Sequence, residues 1–291
     1  GRTRMRWTVI RKKGGETGVA VVDRDTIVDL SGADKLFAGD LMPVIEAGAA
    51  AVDLARRAME NAPRLSLAEV ERALPVAHPP KIFCLGLNYV DHAKEGGYDV
   101  PDYPALFMRT IGSIVPHGAP MVRPLCSERF DYEAEFMAVI GKGGRHIAEA
   151  DALDHVFGYT LFNDGSIRDY QRKTTQWTPG KNFDRSGSVG PDVLTPDELP
   201  AGCAGLRIQS RLNGGVLQDA NTDDMIFSVA TTIAAISEFA ELEPGDLIAM
   251  GTPPGVGHAR TPPVWMKAGD PIEIEVEGFG VLSNPIVDEE R

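Results

Sequence analysis

Asp131-Tyr132-Glu133-Ala134-Glu135-Phe136 places two carboxylates two residues apart in a stretch that continues as Met137, Ala138, Val139 and Ile140. That composition favours a strand. Residues two apart on a strand share a face, so Glu133 and Glu135 point the same way with backbones roughly 7 Å apart. Two like charges about 4 Å apart, at an effective dielectric near 20, repel by about 4 kcal/mol. A hard divalent cation turns that cost into a binding site. Asp164, in Asn163-Asp164-Gly165-Ser166, is a candidate third oxygen ligand. The competing reading is a pair of solvated glutamates on an edge strand.

A second group of reactive side chains follows Leu85-Gly86-Leu87-Asn88-Tyr89. His92 and Glu95 are three apart, which puts them on one face of a short helix. A carboxylate that holds an imidazole raises its basicity and sets its tautomer, which suits a general base. Gly96-Gly97 and the stretch to Pro104 suit a movable lid. Arg168, Gln171 and Lys181 follow Asp164; the Lys and Arg either neutralise the three carboxylates in a structural network, or bind a carboxylate substrate and stabilise an oxyanion. Arg109 is a further candidate anion contact. Gly251-Thr252-Pro253-Pro254-Gly255-Val256-Gly257 lacks the Lys-Ser/Thr ending of a phosphate loop. It reads as a rigid turn presenting Thr252 and backbone N–H groups to a small ligand. His78, His117, His146, His155 and His258 have no pairing that suggests metal ligation and read as structural or exposed.

The elements that must position these groups are mostly strands. Thr8–Ile10, Val19–Val22 and Thr26–Val28 are short alternating strands, and Leu41 to Met59 carries one helical apolar pattern. Pro75 to Pro80 reads as a linker, which predicts a small N-terminal α/β domain at 1–75 and a main domain at 76–291. Strands are expected at Lys81–Leu85, Tyr159–Asn163, Arg207–Leu212, Asp246–Met250, Ile272–Val276 and Val281–Val287, with a helix at Phe227–Ala240. Gly141-Lys142-Gly143-Gly144 reads as a hairpin turn. The fold class is α+β, mainly β, a rolled or sandwiched sheet.

At 291 residues with a net charge of −13, the chain has room for a sizeable core and no basic stripe, so nucleic acid and anionic membrane are not expected partners. Cys84, Cys126 and Cys203 form no C-x-x-C pair and read as small core residues in a reducing compartment. With no apolar run of spanning length and no signal-peptide pattern, the expected location is cytoplasmic.

The chain resembles the fumarylacetoacetate hydrolase superfamily. The matching stretches are Gly-Leu-Asn-Tyr-Val-Asp-His at 86–92, Asp-Tyr-Glu-Ala-Glu at 131–135, Gly-Tyr-Thr-Leu-Phe-Asn-Asp-Gly-Ser-Ile-Arg-Asp-Tyr-Gln at 158–171 and Gly-Lys-Asn-Phe-Asp at 180–184. Leu-Asn-Gly-Gly at 212–215, Pro-Gly-Asp-Leu-Ile at 244–248 and Gly-Thr-Pro-Pro-Gly-Val-Gly at 251–257 complete them, in order along the main domain. The resemblance implies a mixed β-sandwich roll and a Mg²⁺ or Mn²⁺ site on Glu133, Glu135 and Asp164. It also implies a His92–Glu95 base dyad on a lid, substrate and oxyanion contacts from Lys181, Arg168 and Gln171, and a homodimer. Arg109 stands where many acylpyruvate-cleaving members carry Lys. The extra Asp ligand of the animal enzyme has no match, so waters complete the expected coordination sphere.

The function expected from these residues is metal-dependent hydrolysis of a carbon–carbon bond in a 2,4-dioxo acid of the acylpyruvate type, giving pyruvate and a carboxylic acid. His92, held by Glu95, activates water, while Lys181 and Gln171 steady the oxyanion. The alternative keeps the site and changes the reaction to decarboxylation, isomerisation or tautomerisation, or hydration of a 2-oxo acid. A third reading is a non-catalytic oxo-acid-binding protein, whose signature would be an unfilled ligand or dyad position.

Overall fold

The computed structural model describes residues 3–291. A twelve-stranded sheet dominates it. Its main order runs Arg64–Ser66, Thr26–Asp29, Thr17–Asp23, Arg6–Arg11, Gly187–Leu194, Val156–Asn163, Ala134–Ile140, Leu247–Ala249, Ile82–Gly86 and Ala105–Met108. Neighbours along this order are antiparallel except Leu247–Ala249 with Ile82–Gly86, which are parallel. A five-stranded sheet of Gly215–Asn221, Arg207–Leu212, Pro271–Val276, Val281–Asp288 and Met121–Arg123 lies against its central part. The architecture is the mainly β arrangement that the alternating segments predict. Arg6–Arg11 pairs directly with Gly187–Leu194, so the large sheet is continuous across the Pro75–Pro80 stretch.

The central strand Ala134–Ile140 is buried at every residue. Ala134, Phe136, Ala138 and Ile140 pack into a core shared with Ile208, Ile272, Ile274 and Leu282 of the second sheet. Met137 and Val139 face the opposite way, into a core built on Trp7, Val9, Phe37 and Val44. A strand covered on both faces needs apolar residues at every position, which explains the unbroken run after Glu135.

Three local expectations change. The helical pattern at Leu41–Met59 forms two helices, Met42–Ala47 and Ala49–Ala58, broken at Gly48 where φ is 60°. Glycine enters that left-handed region without a Cβ penalty. Gly141–Gly144 is no tight hairpin. The strands Ala134–Ile140 and Val156–Asn163 do pair, but a 3₁₀ segment at Glu149–His155 lies between them and Gly144 bridges to Leu242. Cys84 and Cys203 are buried as expected, whereas Cys126 is exposed. The helix Val229–Phe239 forms within its expected span and is capped by Ser228, whose side chain accepts from the Thr231 N–H. Among the described residues, no helix is long and apolar enough to cross a membrane.

Candidate metal centre and active-site cleft

Glu133 immediately precedes the strand Ala134–Ile140, and Asp164 immediately follows Val156–Asn163. Ala134 pairs with Asn163, and the Asp164 N–H donates to the Glu133 carbonyl at 3.0 Å. Strand pairing therefore sets the two carboxylates side by side. Gly165 lets the chain turn there: a Cβ would lie 1.8 Å from the Ser186 carbonyl oxygen. Glu135 is fully buried beside them. One carboxylate oxygen from each of Glu133, Glu135 and Asp164 lies within 4.8 Å of the others.

These three carboxylates fit a divalent cation. Glu135 Oε2 accepts from the Gly251 N–H at 3.1 Å, but its Oε1 is buried with no hydrogen-bond partner. A buried oxygen with no donor is costly, and a cation supplies what is missing. Burial, then the charges of Asp164 and Glu133, push the Glu135 pKa well above the ordinary carboxylate value. Glu133 goes the other way. Burial would raise it, but Lys181 and Arg168 outweigh burial and hold its carboxyl far below the usual range.

Lys181, at the end of the short helix Thr178–Lys181, spends its three N–H donors within the cluster. They reach Ser166 Oγ at 2.7 Å, Asp164 Oδ2 at 3.0 Å and Glu133 Oε1 at 3.1 Å. Its neighbour Gly180 allows the helix to press on Arg168–Gln171, since a Cβ there would lie 2.3 Å from the Gln171 backbone nitrogen. Arg168 bridges Asp131 Oδ2 at 2.7 Å, Glu133 Oε2 at 2.8 Å and Gln171 Oε1 at 2.9 Å.

Arg109 is not where its expected substrate contact requires. It lies buried behind Asp164 rather than in the cleft. Its Nη1 donates to Asp164 Oδ1 at 2.6 Å and to the Gly165 carbonyl, its Nε to Ser113 Oγ, and its Nη2 to Ser186 Oγ and the Ser113 carbonyl. A guanidinium has five N–H donors, and all are taken by protein. Arg109 positions Asp164, one of the three clustered carboxylates.

The cleft above the cluster encloses about 550 Å³, counting its open mouth. His92, Glu133, Arg168, Gln171, Lys181 and Thr252 line it. His92 lies on the helix Val90–Glu95, and its Nδ1 is 3.3 Å from Glu95 Oε1. The other oxygen of Glu95 accepts from the Gly255 N–H at 3.0 Å, which ties the helix to the Gly251–Gly257 turn. The Thr252 hydroxyl is turned inward, donating to the Ala134 carbonyl and accepting from Gln218. The backbone N–H groups of that turn likewise serve the protein's own carboxylates, Glu135, Glu95 and Asp131.

Three contributors escaped the sequence reading. Asn88 anchors the base of the His92 helix by donating to the carbonyls of Phe227 and Met250 and accepting from the Phe227 N–H. Exposed Arg172 lines the cleft mouth. His258, read as structural or exposed, also lines the cleft, and its Nδ1 is 3.1 Å from Asp131 Oδ2. The signal available for it was its place one residue after the glycine-rich turn.

The family model described as fumarylacetoacetate (FAA) hydrolase C-terminal matches residues 81–287. A Xenopus laevis protein described as a mitochondrial oxaloacetate tautomerase is 40% identical over 273 residues, covering 93% of this chain and 85% of that protein. Among solved structures, the fumarylacetoacetate hydrolase of Exiguobacterium antarcticum superposes with a TM-score of 0.84 at 31% identity, covering 98% of this chain and 100% of that one. A maleylpyruvate hydrolase from Sphingobium sp. SYK-6 gives a TM-score of 0.80 at 29% identity, with coverage of 98% and 100%. The cytoplasmic expectation thus meets a relative described as mitochondrial. The order of the motifs, the two-sheet roll and the buried acidic cluster agree with these matches, and the chain belongs to the fumarylacetoacetate hydrolase family of enzymes.

Proposed function

We propose that the chain is a divalent-metal-dependent tautomerase that interconverts the keto and enol forms of a short 2-oxo diacid of the oxaloacetate type. The observation that carries this reading is a cleft lined by a carboxylate-held histidine and by Glu133, one member of a buried three-carboxylate cluster in which Glu135 has an unpartnered oxygen. The name of the Xenopus laevis relative favours tautomerisation over the carbon–carbon hydrolysis expected from the sequence. Enolisation needs a base for a carbon-bound proton and stabilisation of enolate charge, and it needs no attacking water.

Glu133, Glu135 and Asp164 would hold Mg²⁺ or Mn²⁺, which supplies Lewis-acid polarisation of the 2-oxo group when bound. Glu95 holds His92 at Nδ1, leaving Nε2 to exchange a proton with carbon 3 of the substrate. Lys181 and Arg168 keep Glu133 ionised and fixed. Gln171 gives its amide oxygen to Arg168, so its amide N–H groups are the donors it offers to a substrate carboxylate. The assembly proposed for this enzyme is a homodimer, which sedimentation of the purified chain tests.

A second reading, hydrolysis of an acylpyruvate with His92 activating water, draws support from the likeness to the maleylpyruvate hydrolase. Two assays, one on oxaloacetate and one on an acylpyruvate, separate the two. Decay of the enol absorbance of oxaloacetate is followed with Mg²⁺ and with EDTA, against protein-free controls, while pyruvate is measured. The expected result is metal-dependent enol loss without pyruvate. Pyruvate release from an acylpyruvate, with no effect on the oxaloacetate enol, would replace tautomerisation with hydrolysis.

A further inference from the structure

His258 begins from an unusual anchorage for a residue in a short 3₁₀ turn, Gly257–Ala259. Its ring Nδ1 and its backbone N–H both meet Asp131 Oδ2, at 3.1 and 3.0 Å. The Gly257 N–H donates to Asp131 Oδ1 at 2.8 Å, and Arg168 Nε donates to Oδ2 at 2.7 Å. Gly257 makes this approach possible, since a Cβ there would lie 1.9 Å from the Val264 carbonyl oxygen and 2.8 Å from Asp131 Oδ1. Asp131 itself is fully buried.

These contacts set the chemistry of the ring. Each partner of Asp131 named here is a donor, so the carboxylate acts as acceptor and Nδ1 of His258 carries the hydrogen. The lone pair of the neutral imidazole is then on Nε2. The ring lines the same cleft as His92, Glu133 and Lys181. The cleft therefore holds two carboxylate-held imidazoles on separate elements, His92 on the helix Val90–Glu95 and His258 on the turn. Keto–enol conversion moves a proton at two different atoms, one on carbon and one on oxygen.

We propose that His258 is a second proton-transfer group of this site, serving the oxygen-bound proton while His92 serves the carbon-bound one. The proposal rests on the tautomerase reading. From enol to keto, the enol O–H breaks and its proton passes to Nε2 of His258. A proton passes from Nε2 of His92 to carbon 3, forming the C–H bond. Each histidine then returns to its starting state by exchange with water, and no net proton or electron is gained or lost.

The test uses the full chain with Mg²⁺ and two variants, His258→Gln and His258→Ala. Gln retains an N–H to hold Asp131 but neither takes up nor releases a proton at working pH. For both variants we expect kcat for oxaloacetate enol conversion to fall by about 10²-fold or more with KM little changed. Deuterium exchange at carbon 3, which needs only His92, should persist. Added imidazole should restore turnover to His258→Ala. Full activity in His258→Gln would overturn the proposal, making the residue an anchor for Asp131. A rise in KM alone would make it a binding contact, and loss of carbon exchange without imidazole rescue would make it structural. Wild-type protein that fails to convert the enol would overturn the tautomerase reading, and the role of His258 with it.

Discussion

The Asp164 N–H donates to the carbonyl oxygen of Glu133 at 3.0 Å, one step beyond the paired residues Ala134 and Asn163. A backbone hydrogen bond thus sets the spacing of two carboxylates that lie far apart in the chain. Glu135, one strand position further in, completes the cluster with an oxygen that has no partner.

That orphaned oxygen makes Glu135 the sharpest probe of metal binding. In the wild type, Mg²⁺ at a hundredfold excess over Kd should add about 2.7 kcal/mol of stability. Glu135→Gln should lose this increment. It should also melt no lower than the wild type in EDTA, because it removes a charge that burial, Asp164 and Glu133 oppose. Thermal melts with Mg²⁺ and with EDTA read both effects. A full Mg²⁺ shift in the variant would remove Glu135 from the ligand set.

His92→Ala separates chemistry from metal binding. General-base catalysis contributes about 10²–10⁴-fold, so kcat should fall within that range. The Mg²⁺-induced melting shift should survive, because the ring is not one of the clustered carboxylates. Parallel kinetics and melts decide the matter.

Arg109→Ala should act through stability. It strips a buried cation from buried Asp164, with both side chains fully inaccessible. Breaking such a pair costs about 3–5 kcal/mol. Arg109→Lys should recover only part of this, since an ammonium has three donors for five acceptors. Urea unfolding of both variants measures the loss. A stable Arg109→Ala protein with a raised KM would return Arg109 to substrate binding.

Gly180→Ala tests how finely Lys181 is placed. Its Cβ would meet the Gln171 backbone nitrogen at 2.3 Å, and backbone cannot swing aside as a side chain can. The helix Thr178–Lys181 must shift, moving Lys181 against Glu133 and Asp164, and a misplacement near 1 Å in a site costs about 10²-fold in rate. Turnover should fall to that extent while far-ultraviolet circular dichroism stays unchanged.

His117 should give the protein an acid-sensitive stability away from the cleft. Its Nδ1 accepts from the Ser283 N–H at 3.0 Å, and burial, then the Arg72 charge, push its pKa down to about 4. The unfolded chain takes up that proton near pH 6.5. Between these values the unfolded state binds more protons, so stability rises with pH and is lost as pH falls from 6.5 towards 4. The wild-type advantage in Tm over His117→Gln should shrink across that window. A constant difference would assign the pH dependence to other groups.

Much of the site was legible in short-range pattern. The two-residue spacing of Glu133 and Glu135 put both on one side of a strand, and the three-residue spacing of His92 and Glu95 put both on one helix face. Alternation and turn residues placed most strands within a residue or two of where they form. Other assignments failed for a common reason. Arg109 looked like a cation available to an anion, but its surroundings come from Ser113, Asp164, Gly165 and Ser186. His258 looked unpartnered, because Asp131 lies more than a hundred residues before it.

The sequence by itself determined which side chains share a face, which segments are strands, and which family the motifs belong to, because backbone periodicity is set by near neighbours. Only the tertiary structure decided which carboxylate meets which cation. It turned Arg109 inward, spent the donors of Lys181, left one oxygen of Glu135 bare, and brought His258 to the cleft that His92 also lines. Those outcomes depend on strand pairing and on close backbone approach at Gly165, Gly180 and Gly257, and such long-range geometry has no local signature in the chain.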